Sequence, residues 1–370
     1  MLLADNIFLE NSSIFINFAK KKKDNNIMLE NIIDAKNIEG VKALLEKSEK
    51  CVILTHSRPD GDAMGSSLAL AAFLKARGKS VSVVVPNEYP FFLAWMPGIE
   101  CVTIYDKAPE VANEILKAAD LFFCLDFNAL SRIEAAGEVV ASLPAKRVLI
   151  DHHLAPEPIF DVAISHPEAC STSELVFRLF WQMGVADEVT REIAECIYTG
   201  IMTDTGNFAY ASGRKDIYLI VAELIARGID KDIVYRRVFY NYSFGRMKLM
   251  GYMMYRKLRY FPKKNAALIT LDYEEAQNFN CSKGDTEGIV NMPLQIKGVR
   301  FTCFFREEIP GKINVSLRSV DDFPCNKVAE RFFNGGGHKN ASGGEVRGTM
   351  AQAVKLYEQV LEEFSDELTK

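Results

Sequence analysis

The sequence offers no run of about 18 consecutive apolar residues, so no membrane-spanning helix is expected and no membrane partner. It has no CxxC pair. The eight cysteines, Cys51, Cys101, Cys124, Cys170, Cys196, Cys281, Cys303 and Cys325, stand apart. Most lie in apolar runs, where cysteine behaves as a small buried hydrophobe. No secretory signal is legible either. The basic run Lys20 to Lys23 follows the apolar stretch of residues 1–19, the reverse of the secretory order. Reduced thiols and a cytoplasmic location are the expectation, and residues 1–27 read as an N-terminal tail. With 370 residues, 48% of them hydrophobic, the chain can bury a sizeable core, which excludes a disordered protein or a disulfide-stapled miniature. Neither an internal repeat nor an extended low-complexity segment is found.

Charge is unevenly placed. The net charge is −5, yet residues 231–347 hold 20 Lys and Arg against 12 Asp and Glu, leaving the remainder at −13. An acidic body joined to a basic second part argues against wrapping long duplex nucleic acid, which needs many cationic phosphate contacts on a broad face. It allows a small anionic substrate held by a few cations.

Apolar runs of strand length at 51–55, 81–85, 102–104, 121–125 and 147–150 alternate with helical patterns, among them 39–48 and 65–77. Runs apolar throughout indicate an α/β domain whose mainly parallel sheet is covered by helices on both faces. Ser171-Thr-Ser-Glu174 fits a capping box opening a helix. From 187 to 260 the pattern is largely helical. Pro262-Lys-Lys-Asn marks a boundary, followed by strand-like 266–271, 299–305 and 313–317, a Gly-rich segment at 335–344 and a helix from about 349. The reading is a domain over 28–228, a helical linker over 229–262, and a smaller C-terminal α+β domain over 263–370. Tyr240, Tyr242, Phe244, Tyr252 and Tyr255, at helical spacing beside Arg246 and Arg256, read as core or linker packing.

The residues that carry chemistry fall in clusters. Thr55-His-Ser-Arg-Pro-Asp-Gly-Asp-Ala-Met-Gly-Ser66 packs His56, Asp60 and Asp62 into seven residues directly after an apolar strand. Pro59 and Gly61 force a turn that can aim both carboxylates at one point. A polar turn capping the next helix explains this stretch equally well by itself. Asp126 follows another apolar strand. Asp151-His152-His153 follows a third; in an extended segment the two imidazoles point to opposite sides, so one ligates a metal and the other is free for substrate, with Asp151 able to hold a ring N–H. Asp204, in Thr203-Asp-Thr-Gly, is weak alone. Of only five histidines, three fall in these clusters. The clusters sit where a parallel sheet presents its carboxyl edge, and their oxygen and nitrogen donors suit Mn²⁺ or Mg²⁺ better than structural zinc. Enough ligands exist for two cations, the pattern of a two-metal hydrolase of phosphate esters. His166 reads as a surface histidine. The Gly-rich turn Asn334-Gly-Gly-Gly-His-Lys could form an anion-holding nest with His338 and Lys339. Arg300, Arg306 and Arg318 could fork onto a phosphate, although a solvated face explains each one singly.

Together these residues resemble the DHH phosphoesterase family. Its four motifs appear as His56-Ser-Arg-Pro-Asp-Gly-Asp-Ala-Met-Gly-Ser, Asp126, Asp151-His-His and Asp204, and Gly335-Gly-Gly-His-Lys-Asn-Ala-Ser-Gly-Gly is similar to the signature of the DHH-associated domain. The resemblance spans about residues 35 to 365 and is nearest to the subgroup of bifunctional nano-RNases and 3′-phosphoadenosine 5′-phosphate phosphatases. It implies that His56 and Asp60 bind one Mn²⁺ (Mg²⁺ being the alternative), that Asp62, His152 and Asp204 bind another, and that Asp126 bridges both. It implies that His153 touches the scissile phosphate, while Arg318, Gly336, Gly337 and His338 hold the far end of a short oligonucleotide or small nucleotide. Family members often form dimers, so it also implies a homodimer. The rival expectations are a phosphodiesterase for linear or cyclic dinucleotide signals and a non-catalytic nucleotide sensor.

Overall fold

The computed structural model describes residues 29–240, 242–280 and 284–370, so the expected tail at 1–27 lies outside the described residues. Two six-stranded sheets organise the chain. The first has the strands β1 (Lys50–Thr55), β2 (Ser80–Val85), β3 (Val102–Ile104), β4 (Leu121–Leu125), β5 (Lys146–Asp151) and β6 (Val162–Ser165) in the order β3-β2-β1-β4-β5-β6. All neighbours are parallel. β4 is buried at every position, because it lies inside the sheet with a core on each face. Ile53, Phe123 and Ile150 pack toward one side and Val52, Phe122 and Leu149 toward the other. β6 was not legible in the sequence. It is a four-residue, partly exposed edge strand, and short edge strands give little hydrophobic pattern.

The helices Gly61–Ala76 and Arg191–Asp204 pack most closely against one another. Gly65 permits this: a Cβ there would lie 2.6 Å from the Cys196 carbonyl oxygen and 3.0 Å from the Gly200 nitrogen. The close approach matters for function, since the first helix carries Asp62 and the second ends at Asp204.

The second sheet comprises β7 (Arg259–Phe261), β8 (Ala266–Leu271), β9 (Phe301–Ile309), β10 (Lys312–Ser319), β11 (Gly336–His338) and β12 (Ala341–Arg347), ordered β11-β12-β10-β9-β8-β7. It is antiparallel except for the β8–β9 pair. The helices Cys325–Phe332 and Met350–Glu363 cover one face through Val328, Tyr357 and Val360. The segment expected as a linker is divided between the two units. Val234 and Val238 of the Lys231–Phe239 helix join the first core, and Leu249 of Phe244–Tyr252, with Met253, joins the second. β7 begins ahead of Pro262, so that proline lies inside the second sheet unit and not at its border.

The Gly-rich segment is a hairpin, β11 paired with β12, and not a loose nest. Gly337 has φ +137°, and a Cβ on it would meet the Ala341 carbonyl oxygen at 2.7 Å.

Gly65→Ala is expected to cost about 1–3 kcal/mol, because main chain on the facing helix has nowhere to go. Urea unfolding of the variant against the parent measures it.

Candidate active site

Three neighbouring strands end at the same edge. β1 pairs with β4 up to Thr55 and Leu125, and β4 pairs with β5 up to Leu125 and Ile150. His56, Asp126, Asp151 and His152 therefore emerge side by side. The sheet order reverses between β1 and β4, the place where open α/β sheets form crevices. Asp126 has φ +64° and its backbone N–H donates to the Ile150 carbonyl (3.1 Å). That kink turns its carboxylate back over the strand ends. Asp60 caps the Gly61–Ala76 helix, its Oδ1 accepting from the N–H groups of Asp62 and Ala63 at 3.0 Å each. Capping and a site role were alternatives in the sequence; Oδ1 does the first, and Oδ2 faces His56 Nε2 at 3.9 Å.

Two groups of side chains converge. His56 Nε2 lies 3.4 Å from Asp126 Oδ2. His152 Nε2 lies 3.5 Å from Asp126 Oδ1, 3.5 Å from Asp204 Oδ2 and 4.0 Å from Asp62 Oδ2. Thus His56, Asp60 and Asp126 form one cluster, Asp62, His152 and Asp204 a second, and Asp126 reaches both.

The arrangement passes a test for divalent ions. Both imidazoles offer Nδ1 to a backbone carbonyl, His56 to Ser57 (2.9 Å) and His152 to Ala169 (3.2 Å). This leaves each Nε2 aimed at carboxylates, an acceptor facing acceptors unless a proton or a cation lies between. The spacings are too long for good hydrogen bonds. They suit atoms sharing an ion at about 2.1 Å, whose neighbouring ligands sit about 3 to 3.5 Å apart.

Electrostatics say the same. Burial pushes Asp62 well above the usual carboxylate range, and the charges of Asp126 and Asp204 push it further. Burial also carries Asp204 up to about 7, against the pull of His152. Burial opposes the charged form of His56, yet the facing carboxylates of Asp126 and Asp60 raise it to about 9. Asp126 is held well below its ordinary value despite burial, by His152 and His56.

The adjacent histidines do not point apart. β5 ends at Asp151, the chain turns, and strand alternation no longer applies. Their rings meet edge-on at 5.1 Å. His153 donates Nδ1–H to Asp151 Oδ1 at 2.7 Å, so Asp151 supports His153 and not His152. From the second unit, His338 stacks on the His153 ring (4.7 Å, 26° between planes) and lies 5.2 Å from that of His152. Burial, then the nearby charge of His153 and His152, lowers His338 to about 4. Arg318 shares the β-ladder row of His338 through Ala341. Gly336 has open space beside it, and Gly337 takes a hairpin conformation that a residue with a side chain would adopt only under strain. Arg300 is not brought to the cleft. Its Nη1 donates to the carbonyls of Glu367 (2.8 Å) and Leu368 (3.3 Å), because the C-terminal helix leaves carbonyls in need of donors beside the start of β9. Arg306 donates to the Thr286 hydroxyl, and His166 bonds Glu168.

The sequence reading missed Thr172 and Ser173. Their backbone N–H groups donate to Asp62 Oδ2 (2.6 Å) and Oδ1 (2.9 Å), and the Thr172 hydroxyl donates to Asp126 Oδ1 (2.9 Å). The buried Asp62 is therefore the anion at a helix N-terminus, a setting that stabilises negative charge. Ser171 does cap this helix, but Glu174 reaches the Cys170 N–H (2.7 Å) instead of closing the expected box. Glu174 is in turn gripped by Arg178 and Arg214, and Arg178, fully buried, also binds Asp216. The capping signal at Ser171 was the available clue to this cradle.

Residues 50–201 match the model of the DHH family, N-terminal domain, and residues 265–369 that of the DHHA1 domain. A Thermus thermophilus protein named bifunctional oligoribonuclease and PAP phosphatase NrnA is 31% identical over 319 residues, covering 86% of this chain and 90% of that protein. Its Bacillus subtilis namesake is 26% identical, covering 80% and 88%. The crystal structure of an exopolyphosphatase-related protein from Bacteroides fragilis superposes with a TM-score of 0.89 at 50% identity, over 92% of this chain and all of that one.

Two outcomes are expected. Thr172→Val removes the hydroxyl from Asp126 and should weaken divalent-ion binding about 10- to 100-fold by titration calorimetry, with Thr172→Ser restoring it. Ion binding must displace protons from groups raised as far as His56 and Asp204. Affinity should therefore rise as pH goes from 6 to 8, with proton release seen as a buffer-dependent heat.

Proposed function

The chain belongs to the DHH family, and from that premise we propose a two-metal phosphoesterase that hydrolyses short oligoribonucleotides to nucleoside monophosphates and 3′-phosphoadenosine 5′-phosphate to AMP. The observation that carries the reading is the pair of donor clusters sharing Asp126. His56, Asp60 and Asp126 would hold one divalent ion, and Asp62, His152 and Asp204 the other, again with Asp126; Mn²⁺ is the proposed ion and Mg²⁺ its substitute. Bound there, such a pair supplies Lewis-acid charge and an acidified water, the chemistry of in-line phosphoryl displacement.

The remaining groups place the substrate. Asp151 fixes Nδ1–H of His153, so its Nε2 is the atom presented to the phosphoryl oxygens. When protonated, it donates a hydrogen bond to charge that grows there. His338, whose ring stacks on that of His153, would orient the same phosphate from the second unit. Arg318 is a permanent cation for a second phosphate or the ribose-phosphate end. The free thiols among the described residues accord with a reducing, cytoplasmic setting.

The test is turnover of a diribonucleotide and of 3′-phosphoadenosine 5′-phosphate by protein with verified Mn²⁺ content, products identified by mass. Both should be consumed, and chelation should stop both. Asp126→Ala should bring activity to background while circular dichroism stays like that of the parent. Metal-loaded protein that turns over neither substrate removes the proposal.

A further inference from the structure

Between Asp232 and Asp272 the chain has no acidic residue at all, but nine Lys or Arg and nine Phe or Tyr. The sequence reading assigned the aromatic residues in the middle of this stretch to packing. The structure does the opposite with several of them. Leu249 and Met253 bury against Ile269 and Phe304 and fix the Phe244–Tyr252 segment to the second sheet. Its other face stays outside: Phe244 is 76% exposed and Tyr255 83%, with Met247 and Lys248 on the same side. Lys248 Nζ stands 4.7 Å over the Phe244 ring. Neither Lys248 nor Arg256 has an acidic partner among the described residues. Folding does not require large rings in water, and a surface that mixes them with unneutralised cations suits a polyanion carrying flat π faces.

Buried Arg246 ties the segment to the side of the second unit that faces the cleft. Arg246 lies 3.8 Å from the Tyr242 ring centroid and donates Nη2–H to the Glu287 carbonyl (2.6 Å). The charges of Arg318, Asp60 and Arg58 act on the Glu287 carboxylate, so this junction lies near the residues of both units that line the cleft. From Phe244 to Tyr255 the segment runs about 15 Å, room for a few nucleotides.

We propose that Tyr242, Phe244, Lys248, Tyr255 and Arg256 form a stacking track for the single-stranded tail of an oligonucleotide whose terminal phosphodiester occupies the cleft. The inference rests on the phosphoesterase reading and deepens it by naming the substrate class: single strands longer than a dinucleotide, held by base stacking and phosphate pairing without sequence readout. A second copy of the chain is the disfavoured occupant, because a two-fold contact would bring the Lys248 and Arg256 charges of both copies onto one face.

The experiment uses the full chain and the double variant Phe244→Ala, Tyr255→Ala, with circular dichroism confirming the fold of both. Binding of a fluorescent single-stranded octaribonucleotide is read by anisotropy in EDTA, which prevents hydrolysis. Hydrolysis of an unlabelled diribonucleotide is read separately with Mn²⁺. The double variant should lose about tenfold or more in octanucleotide affinity, and affinity of the parent should fall with added salt. The kcat/KM on the diribonucleotide should not change. Equal octanucleotide affinity in the two proteins overturns the track. So does a change from dimer to monomer in sedimentation with affinity unaltered, which would assign the face to self-association. Weakened octanucleotide binding in a protein that never cleaves the diribonucleotide would sustain the track and remove the hydrolase reading instead.

Discussion

Asp62 is almost fully buried, and a carboxylate in that position needs compensation. The first turn of the Thr172–Gln182 helix supplies it with two N–H donors, and the same turn offers a hydroxyl to Asp126. Everything that makes the cleft chemical depends on this junction. It sets the carboxylate that both donor clusters share, and it orients the one that contact with the Arg191–Asp204 helix would otherwise crowd. Gly65 allows that helix to come close, and Asp204 arrives at its end. The active-site geometry is thus a consequence of helix packing as much as of strand order.

Much of this was legible in the chain. Apolar runs followed at once by His56, Asp126 and Asp151 marked strand ends at one sheet edge, because only buried parallel strands read as continuously apolar. The two-unit organisation followed from the change of pattern after the helical stretch. What was not legible depends on three-dimensional neighbours. Which histidine Asp151 supports was hidden, since the end of β5 at Asp151 breaks the alternation that a continuing strand imposes. Arg300 looked like Arg318 in sequence, and only the docked C-terminal helix distinguishes them. β6, short and peripheral, left too little pattern to see. The aromatic residues after Tyr240 show the same limit: helical spacing fixes which residues share a face, but not whether that face meets a core or water.

The two units contribute unlike chemistry to one cleft. The first brings oxygen donors and the imidazoles His56, His152 and His153; the second brings His338 on a glycine hairpin and the cation Arg318. Gly337 gives the hairpin its bend, so that the ring of His338 lies flat on that of His153. The division follows the sign of the charge balance in the sequence, acidic over the first unit and basic over residues 231–347, although most of those cations are spent on partners outside the cleft.

Behind the cradle, Arg178 lies wholly out of solvent between Glu174 and Asp216 and also grips the carbonyl of Glu30. Dissolved electrolyte screens charges it can surround, and it cannot surround these. Brine that loosens the hold of exposed lysines on a passing polyanion therefore leaves the posture of Asp62 and Asp126 as it was. In this molecule the capture of a ligand and the alignment of the groups that act on it answer to different properties of the medium.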